Sequence, residues 1–460
     1  MTGRVQTTVN RTSLEALADL VGHGSEAAST TRISGTVIEL AADSCLVSGL
    51  SKFAQIDDIV EFDIPEKVLL GQIVRIGVSA VTIKPLSSFQ SVRIGTKVAY
   101  RGALSLRPHL AWKGRILNAF GEPVDGKGPL PIGERRMQLD NDPPHALERQ
   151  RVSQPLQTGI KVIDVFTPLC RGQRVGVFAG SGLGKSTLLR MLAAAPDFDT
   201  VVVALVGERG REVREFLEDG LGPIAERTIS VISTSDESSM MRRLAPSTAV
   251  CMAEFFRDEG HSVLLIVDSI TRFAHAARDA AMAAGEPPIA RGYSPSVFSD
   301  LVRLLERTGP GRDNSSGSIT GVFSVLVDGD DHDEPIADTI RGTLDGHIVL
   351  DRAIAQQGRY PAVDPLRSLS RLAPHIWSGD QQRLVMSLRA MIARYEDGRD
   401  MRMLSGQQSG VDPLTDQAVE LIPRLYDILE QTPEDPLSDD PFRDIATAFA
   451  AQINENPLSQ

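Results

Sequence analysis

Cysteine is scarce in this chain. Its 460 residues hold 3, Cys45, Cys170 and Cys251, which are isolated and odd in number. No CxxC pair exists, so neither a disulfide framework nor a cysteine-held zinc site is indicated. The 8 histidines form no HExxH arrangement. Aromatics make up 5% of the chain against 42% hydrophobic residues, so the core must be mostly aliphatic. No uncharged apolar run reaches the roughly 18 residues needed to span a bilayer. The stretch MTGRVQTTVNRTSLEALADL is polar and lacks the apolar centre of a signal peptide. A basic excess is also missing: 48 Lys and Arg against 60 Asp and Glu leave a net charge of −12. Phosphate repulsion then works against sequence-independent nucleic-acid binding. The expectation is a reduced, cytoplasmic protein, long enough for two or three domains.

What is present changes character along the chain. Residues 12–22, TSLEALADLVG, read as a short amphipathic helix. Thr12 and Glu15 fit a capping box, and Leu14, Leu17 and Val21 share one face. From about residue 32, short β-branched runs such as RISGTVIEL and DDIVEFDI are broken by Gly, Asp or Pro, which predicts a small all-β domain of barrel type. From about 105 to 375, strand-like runs apolar on both faces (RVGVFAG, TVVVALVG, SVLLIVDS) alternate with helical ones. That is the pattern of a parallel sheet covered by helices. Beyond 376 the pattern is helical, as in QQRLVMSLRAMIARYEDG. The expected division is 1–30 helix and linker, 31–104 barrel, 105–375 α/β core and 376–460 helical domain.

The strongest local signal is VFAGSGLGKSTLLRML, residues 177–192. An apolar strand, a glycine-rich turn and a good helix follow one another, as a phosphate-binding P-loop requires. Residues Ala179, Gly180, Ser181, Gly182, Leu183, Gly184, Lys185, Ser186 and Thr187 form the loop. Its backbone N–H groups and the positive helix N-terminus would face a phosphate chain. Lys185 would reach the β- and γ-oxygens, and the Ser186 hydroxyl would ligate Mg²⁺. Ala179 stands where the strict pattern has glycine. A methyl group is tolerable there if φ stays negative. A chance match to [AG]xxxxGK[ST] in a chain of this length is of order 0.03–0.04, so a plain glycine turn capping a helix is the weaker reading.

Two acids follow. In SVLLIVDS, five successive aliphatics lead to Asp268 at a strand end, the place for a carboxylate that holds Mg²⁺ through water. In VVALVGERGREVREF, Glu208 sits at a strand tip and is the candidate for orienting the attacking water. Glu212 and Glu215 compete with it, but belong on the solvent face of the next helix. In GRYPAVDPLRSLSRL, Tyr360 is a candidate to stack on adenine and Arg371 to neutralise the γ-phosphate. The alternatives are a core tyrosine and a surface ion pair.

Taken in order, TGIKVID, RGQRVGVFAGSGLGKS, GERGREVREF, VLLIVDSITRFA, GEPPIARGYSPSVF and YPAVDPLRSLSR resemble the flagellar and type III secretion ATPases, relatives of the rotary ATP synthase catalytic subunit. The likeness covers most of residues 30–425, and in this family the FAGSGxGKS form is usual. It implies an N-terminal β-barrel, a RecA-like P-loop NTPase core and a C-terminal helical domain. It also implies ATP and Mg²⁺ as cofactors. By resemblance Lys185 and Ser186 contact phosphate and Mg²⁺, Asp268 is the second Walker acid and Glu208 the catalytic glutamate. Arg209 is its arginine neighbour, Tyr360 the adenine-stacking aromatic and Arg371 an arginine finger given to the neighbouring subunit. The implied active unit is a homohexameric ring. The implied partners are a stator-like regulator at the N-terminal helix, a stalk protein, chaperones and substrates at the C-terminal domain, and a membrane export gate. The implied place is the cytoplasmic side of the inner-membrane export apparatus.

Gln407, in LSGQQSG, and Ser294, in GYSPSVF, depart from the family pattern of an aromatic and a proline. A flagellar role is favoured over an injectisome one by DGDDHDEPIADTIRG and GSITG. A rotary synthase subunit, whose loop reads more like GGAGVGKT, fits less well. A silent nucleotide-binding subunit could do without Glu208, and a ring helicase would want a basic, aromatic patch in the β domain.

Overall fold

The computed structural model describes residues 33–65, 68–87, 91–312, 317–327, 334–398 and 413–455. The expected helix at 12–22 and Gln407 lie outside them. Two compact units divide at Ala103 and Leu104.

The first unit is a closed six-stranded antiparallel barrel. Its strands are β1 (Ser34–Leu40), β2 (Cys45–Ser48), β3 (Ile59–Phe62), β4 (Leu69–Ile76), β5 (Ala80–Pro85) and β6 (Lys97–Gly102), in the order β1-β2-β5-β4-β3-β6. Alternate residues such as Val37, Val47, Ile73, Val81 and Ile83 fill the interior. The period of two seen in the sequence is thus the inside–outside alternation of a barrel wall. Gly71 is needed at one close approach: a Cβ there would lie 2.6 Å from Ile83 and 2.9 Å from Phe62.

The second unit is built on a twisted sheet. Its main strands are β7 (Ile116–Asn118), β8 (Arg174–Ala179), β9 (Thr200–Val206), β10 (Thr228–Ser233), β11 (Ser262–Asp268), β12 (Ser318–Leu326), β13 (Gly346–Val349) and β14 (Leu369–Ser370). They lie in the order β14-β13-β8-β12-β11-β9-β10-β7, parallel throughout except for β14. The helices used below are α1 (Lys185–Ala194), α2 (Gly210–Glu215), α3 (Ser239–Asp258), α4 (Ile270–Ala283), α5 (Pro295–Glu306), α6 (Pro335–Thr343), α7 (Gly379–Asp397), α8 (Pro413–Leu429) and α9 (Pro441–Glu455).

Every residue of β9 and β11 is buried. The strand pleat sends their side chains alternately to two cores. Val202, Ala204, Val263, Leu265 and Val267 join α3, α4 and α5 on one face. Val201, Val203, Leu264 and Ile266 join α1 on the other. That second core also takes Val385, Leu388 and Ile392 of α7 and Ala418, Ile422 and Leu425 of α8. The C-terminal helices therefore rest on the same side of the sheet as the P-loop helix.

One buried ion pair ties the first core to its edge. Arg307 bonds Glu254 through two nitrogens at 2.9 and 2.8 Å and gives a third bond, 2.6 Å, to the Leu139 carbonyl. Asn141 donates to the same carboxylate at 3.1 Å. Both side chains are almost fully buried, at 3% and 4% exposure. Removing one partner strands the other's charge in an apolar site. Glu254→Ala should lose about 3–5 kcal/mol in urea unfolding, whereas replacing both residues by leucine and methionine should cost far less.

Candidate active site

Strand β8 ends at Ala179, and the chain turns through Gly180–Gly184 into α1. Ala179 is still strand, its oxygen accepting the N–H of Val327 at 3.1 Å. Its methyl group is buried in the second core. Glycine freedom is not needed at that position. It is needed at Gly182 and Gly184, whose φ angles are +80° and +83°. No side chain caps the α1 N-terminus, so its first amides are left for an anion.

Lys185 opens α1. Its ammonium lies 2.5 Å from Asp268 Oδ1 and 3.9 Å from Glu208 Oε1. Asp268 closes β11 at 2% exposure and accepts a further bond, 2.7 Å, from the Ser324 hydroxyl of β12. Glu208 follows β9, the strand beside β11, and is 8% exposed. Parallel neighbouring strands bring both acids to the carboxyl end of the sheet, facing the lysine.

Glu208 is electrostatically loaded. Burial, then the Asp268 charge, push its carboxyl up to about 7, with Glu212 adding to the rise. Lys185 and Arg272 pull the other way. Arg272, in the first turn of α4, stands 3.3 Å from Glu208 Oε2. Glu208 Oε1 is buried without a hydrogen-bond partner. Such an atom wants a donor, and a water between it and a phosphate would supply one. Glu212 and Glu215 are exposed on α2, as their pattern predicts.

The loop also fits a nucleotide. A Cβ built at Gly182 would meet nothing within 4 Å, so the backbone there is open to an approaching group. Ser186, one residue past the lysine, is exposed on the same turn. Thr187 is half-buried and accepts a 3.4 Å contact from Arg190. Ser186 and Asp268 supply the hydroxyl and carboxylate oxygens that suit Mg²⁺. Tyr360 is brought to the same place from far along the chain. Its ring atoms lie 3.5 Å from where a Gly184 Cβ would sit. The ring is 44% exposed, and so available for stacking.

Two expected residues are not gathered in. Arg209 is exposed at the rim and pairs with Glu212 at 3.8 Å. Arg371 lies at the opposite end of the sheet. Its N–H bonds the Asp345 carbonyl at 2.9 Å, and Asp345 in turn pairs with Arg174 at the start of β8. The P-loop leaves the other end of that six-residue strand, about 17 Å away at ~3.3 Å per step. At that distance Arg371 is out of reach of its own loop.

Sequence reasoning missed Arg272 and Ser324. The first had a signal in its place one turn after Asp268 in DSITRF. The second is a lone hydroxyl within an apolar strand, GVFSVLV, which needs a buried partner.

The pattern of the ATP synthase alpha/beta family, nucleotide-binding domain, matches residues 159–370. That of the T3SS EscN ATPase C-terminal domain matches 377–444. The flagellum-specific ATP synthase of Agrobacterium fabrum is 49% identical over 436 residues, 95% of this chain and 92% of its own. The assembled ATPase EscN of the enteropathogenic E. coli type III secretion system superposes with a TM-score of 0.82 at 33% identity, covering 90% of this chain and 99% of that one. EscN in complex with its central stalk EscO gives 0.81 at 34% identity over the same shares.

Proposed function

The chain belongs to the family of flagellum-specific ATP synthases and type III secretion ATPases, and on that premise we propose that it hydrolyses ATP to energise flagellar protein export. The observation that carries the chemistry is the convergence of Lys185, Asp268 and Glu208 on the P-loop mouth. The flagellar reading is favoured over the injectisome one by the higher identity and coverage, 49% over 95% of this chain against 43% over 80% for the SPI-2 type 3 secretion system ATPase of Salmonella typhimurium.

The roles follow from position. The loop amides and Lys185 bind the triphosphate, and Tyr360 stacks on the base. Ser186 and Asp268 hold Mg²⁺, which when bound neutralises charge on the β- and γ-phosphates. Lys185 must leave Asp268 for phosphate, a short swing for a flexible side chain. Glu208 orients and polarises the attacking water, and Arg272 keeps its carboxylate in place. Arg371, too far from its own loop, serves the loop of a neighbouring copy. Each site is then shared by two chains, and a closed ring is the arrangement that completes all of them. EscN is known as an assembled ATPase and with a stalk; we extend both to this chain. No helix among the described residues is long and apolar enough to cross a membrane, so attachment to an export gate would be peripheral. The N-terminal segment would receive a regulator, and α7–α9 the chaperones and substrates.

Steady-state phosphate release tests the reading. Turnover should require Mg²⁺ and disappear when it is chelated; phosphate release unaffected by chelation would count against the site. The raised Glu208 carboxyl sets the pH dependence. A base must be ionised, so kcat/KM should fall about tenfold per unit as pH drops below about 7 and level off above it. A profile flat from pH 5.5 to 8 would remove Glu208 from that role.

A further inference from the structure

Tyr360 is half in solvent, and its position is fixed by the backbone on either side of it. Its carbonyl accepts the N–H of Gln431 at 2.9 Å. Gln431 is 3% exposed, and its side-chain amide is bonded to the core: Oε1 accepts Lys161 N–H at 3.1 Å and Nε2 donates to the Gly159 carbonyl at 2.9 Å. One residue before the tyrosine, the Arg359 guanidinium carbon lies 3.7 Å from the centre of the Tyr426 ring. The same guanidinium is 3.5 Å from Glu396 Oε1, to which the Tyr426 hydroxyl donates at 2.7 Å. Glu396 belongs to the end of α7 and Tyr426 to α8. Burial and the Glu396 carboxylate hold the Tyr426 phenol well above its ordinary range, so it remains a donor. A small cavity beside Tyr360 is walled by Arg359, Pro361, Tyr426, Leu429 and Glu430.

We propose that Arg359, clamped between Tyr426 and Glu396, is a positioning residue for the base-stacking ring of Tyr360. The inference rests on the reading of Tyr360 given above. Arg359 touches none of the loop, Lys185, Glu208 or Asp268 in this structure; its partners are all on the C-terminal helices. The Arg359 guanidinium is 14% exposed, and a desolvated cation over an aromatic face is strong enough to fix a loop. Released from the clamp, the Tyr360 loop keeps its backbone bonds, Gln431 N–H to the Tyr360 carbonyl and Asp351 N–H to the Ala362 carbonyl, but loses its side-chain anchor to the C-terminal helices, and the ring shifts from its place next to Gly184. The loss then falls on binding of the nucleoside and leaves in-line attack at Glu208 untouched. The same clamp joins the base loop to α7 and α8, so those helices are anchored to whether the base site is filled.

The test is a KM-against-kcat comparison on the full chain, with ADP dissociation constants measured beside it. Arg359→Ala and Tyr426→Leu should each raise the KM for ATP and the Kd for ADP about three- to thirtyfold, with kcat within about twofold. Tyr426→Phe keeps the ring under the guanidinium and should restore most of the affinity. Tyr360→Ala should raise KM by itself, and adding Arg359→Ala to it should do nothing more, because the ring being positioned is gone. Should Arg359→Ala not fold, Tyr426→Leu combined with Tyr360→Ala carries the same cycle. If Tyr360→Ala raises KM while neither clamp variant does, or if the two effects add in the double variant, the positioning role is overturned and Tyr360 keeps its own. If Tyr360→Ala leaves KM unchanged, the base-stacking reading fails and takes the proposal with it.

Discussion

Glu208→Gln should bind nucleotide and all but stop hydrolysing it. The amide keeps the size of the carboxylate and leaves the loop, Lys185 and Asp268 in place. It loses the charge that polarises water, and general-base assistance of this kind is worth about 10²–10⁴ in rate. A drop of at least a hundredfold in kcat is expected, with the Kd for ADP within about threefold. The neighbours sharpen the expectation. Glu208 now faces Lys185 at 3.9 Å and Arg272 at 3.3 Å; the amide removes the anionic partner of Arg272 and the more distant of the two acids at Lys185, so both cations become freer to bind phosphate. Nucleotide affinity should therefore be retained or improved. Single-turnover phosphate release against nucleotide binding separates the two effects. Turnover within threefold of the parent would transfer the base role to another group.

Arg371→Ala should be as severe for a different reason. Arginine fingers contribute about 10³–10⁵ in kcat by neutralising charge on the transferred phosphoryl group, equivalent to at least ~4 kcal/mol of transition-state stabilisation. Within one chain Arg371 bonds the carbonyls of Asp345 and, at 3.4 Å, Arg341. Neither contact is near the P-loop, so a purely local role predicts a small loss of stability and unchanged turnover. The shared-site account predicts a fall of a thousandfold or more with the chain still folded and still binding ATP. Thermal melting beside phosphate release distinguishes the two outcomes.

The parts of the site that were legible in the sequence are those made by neighbours along the chain. Gly182, Gly184, Lys185 and Ser186 are within one turn of each other, and their spacing encodes a loop whatever the rest does. Asp268 was legible because a fully buried strand has to end somewhere, and an acid at that end is unusual. The two-sided apolar pattern of β9 and β11 likewise gave a parallel sheet before its order was known. Contacts made by topology were not legible. Nothing local says that Tyr360 returns to Gly184, that Ser324 meets Asp268 across two paired strands, or that Arg371 lies near the start of β8, opposite the P-loop. For Tyr360 and Arg371 only family resemblance supplied a role, and the structure gives each a location. Arg359 was invisible for the same reason, since its partners Glu396 and Tyr426 come from two separate helices.

The claim on which the rest depends is that each catalytic site takes Glu208 from one copy and Arg371 from the next. Mixing the two inactive variants tests it directly. A ring of Glu208→Gln and Arg371→Ala chains contains interfaces where an intact Glu208 meets an intact Arg371, about a quarter of them in a random equal mixture. Phosphate release by the mixture should rise well above that of either variant alone, towards that fraction of the parent rate. Co-assembled rings that stay as inactive as their parts would contradict the account.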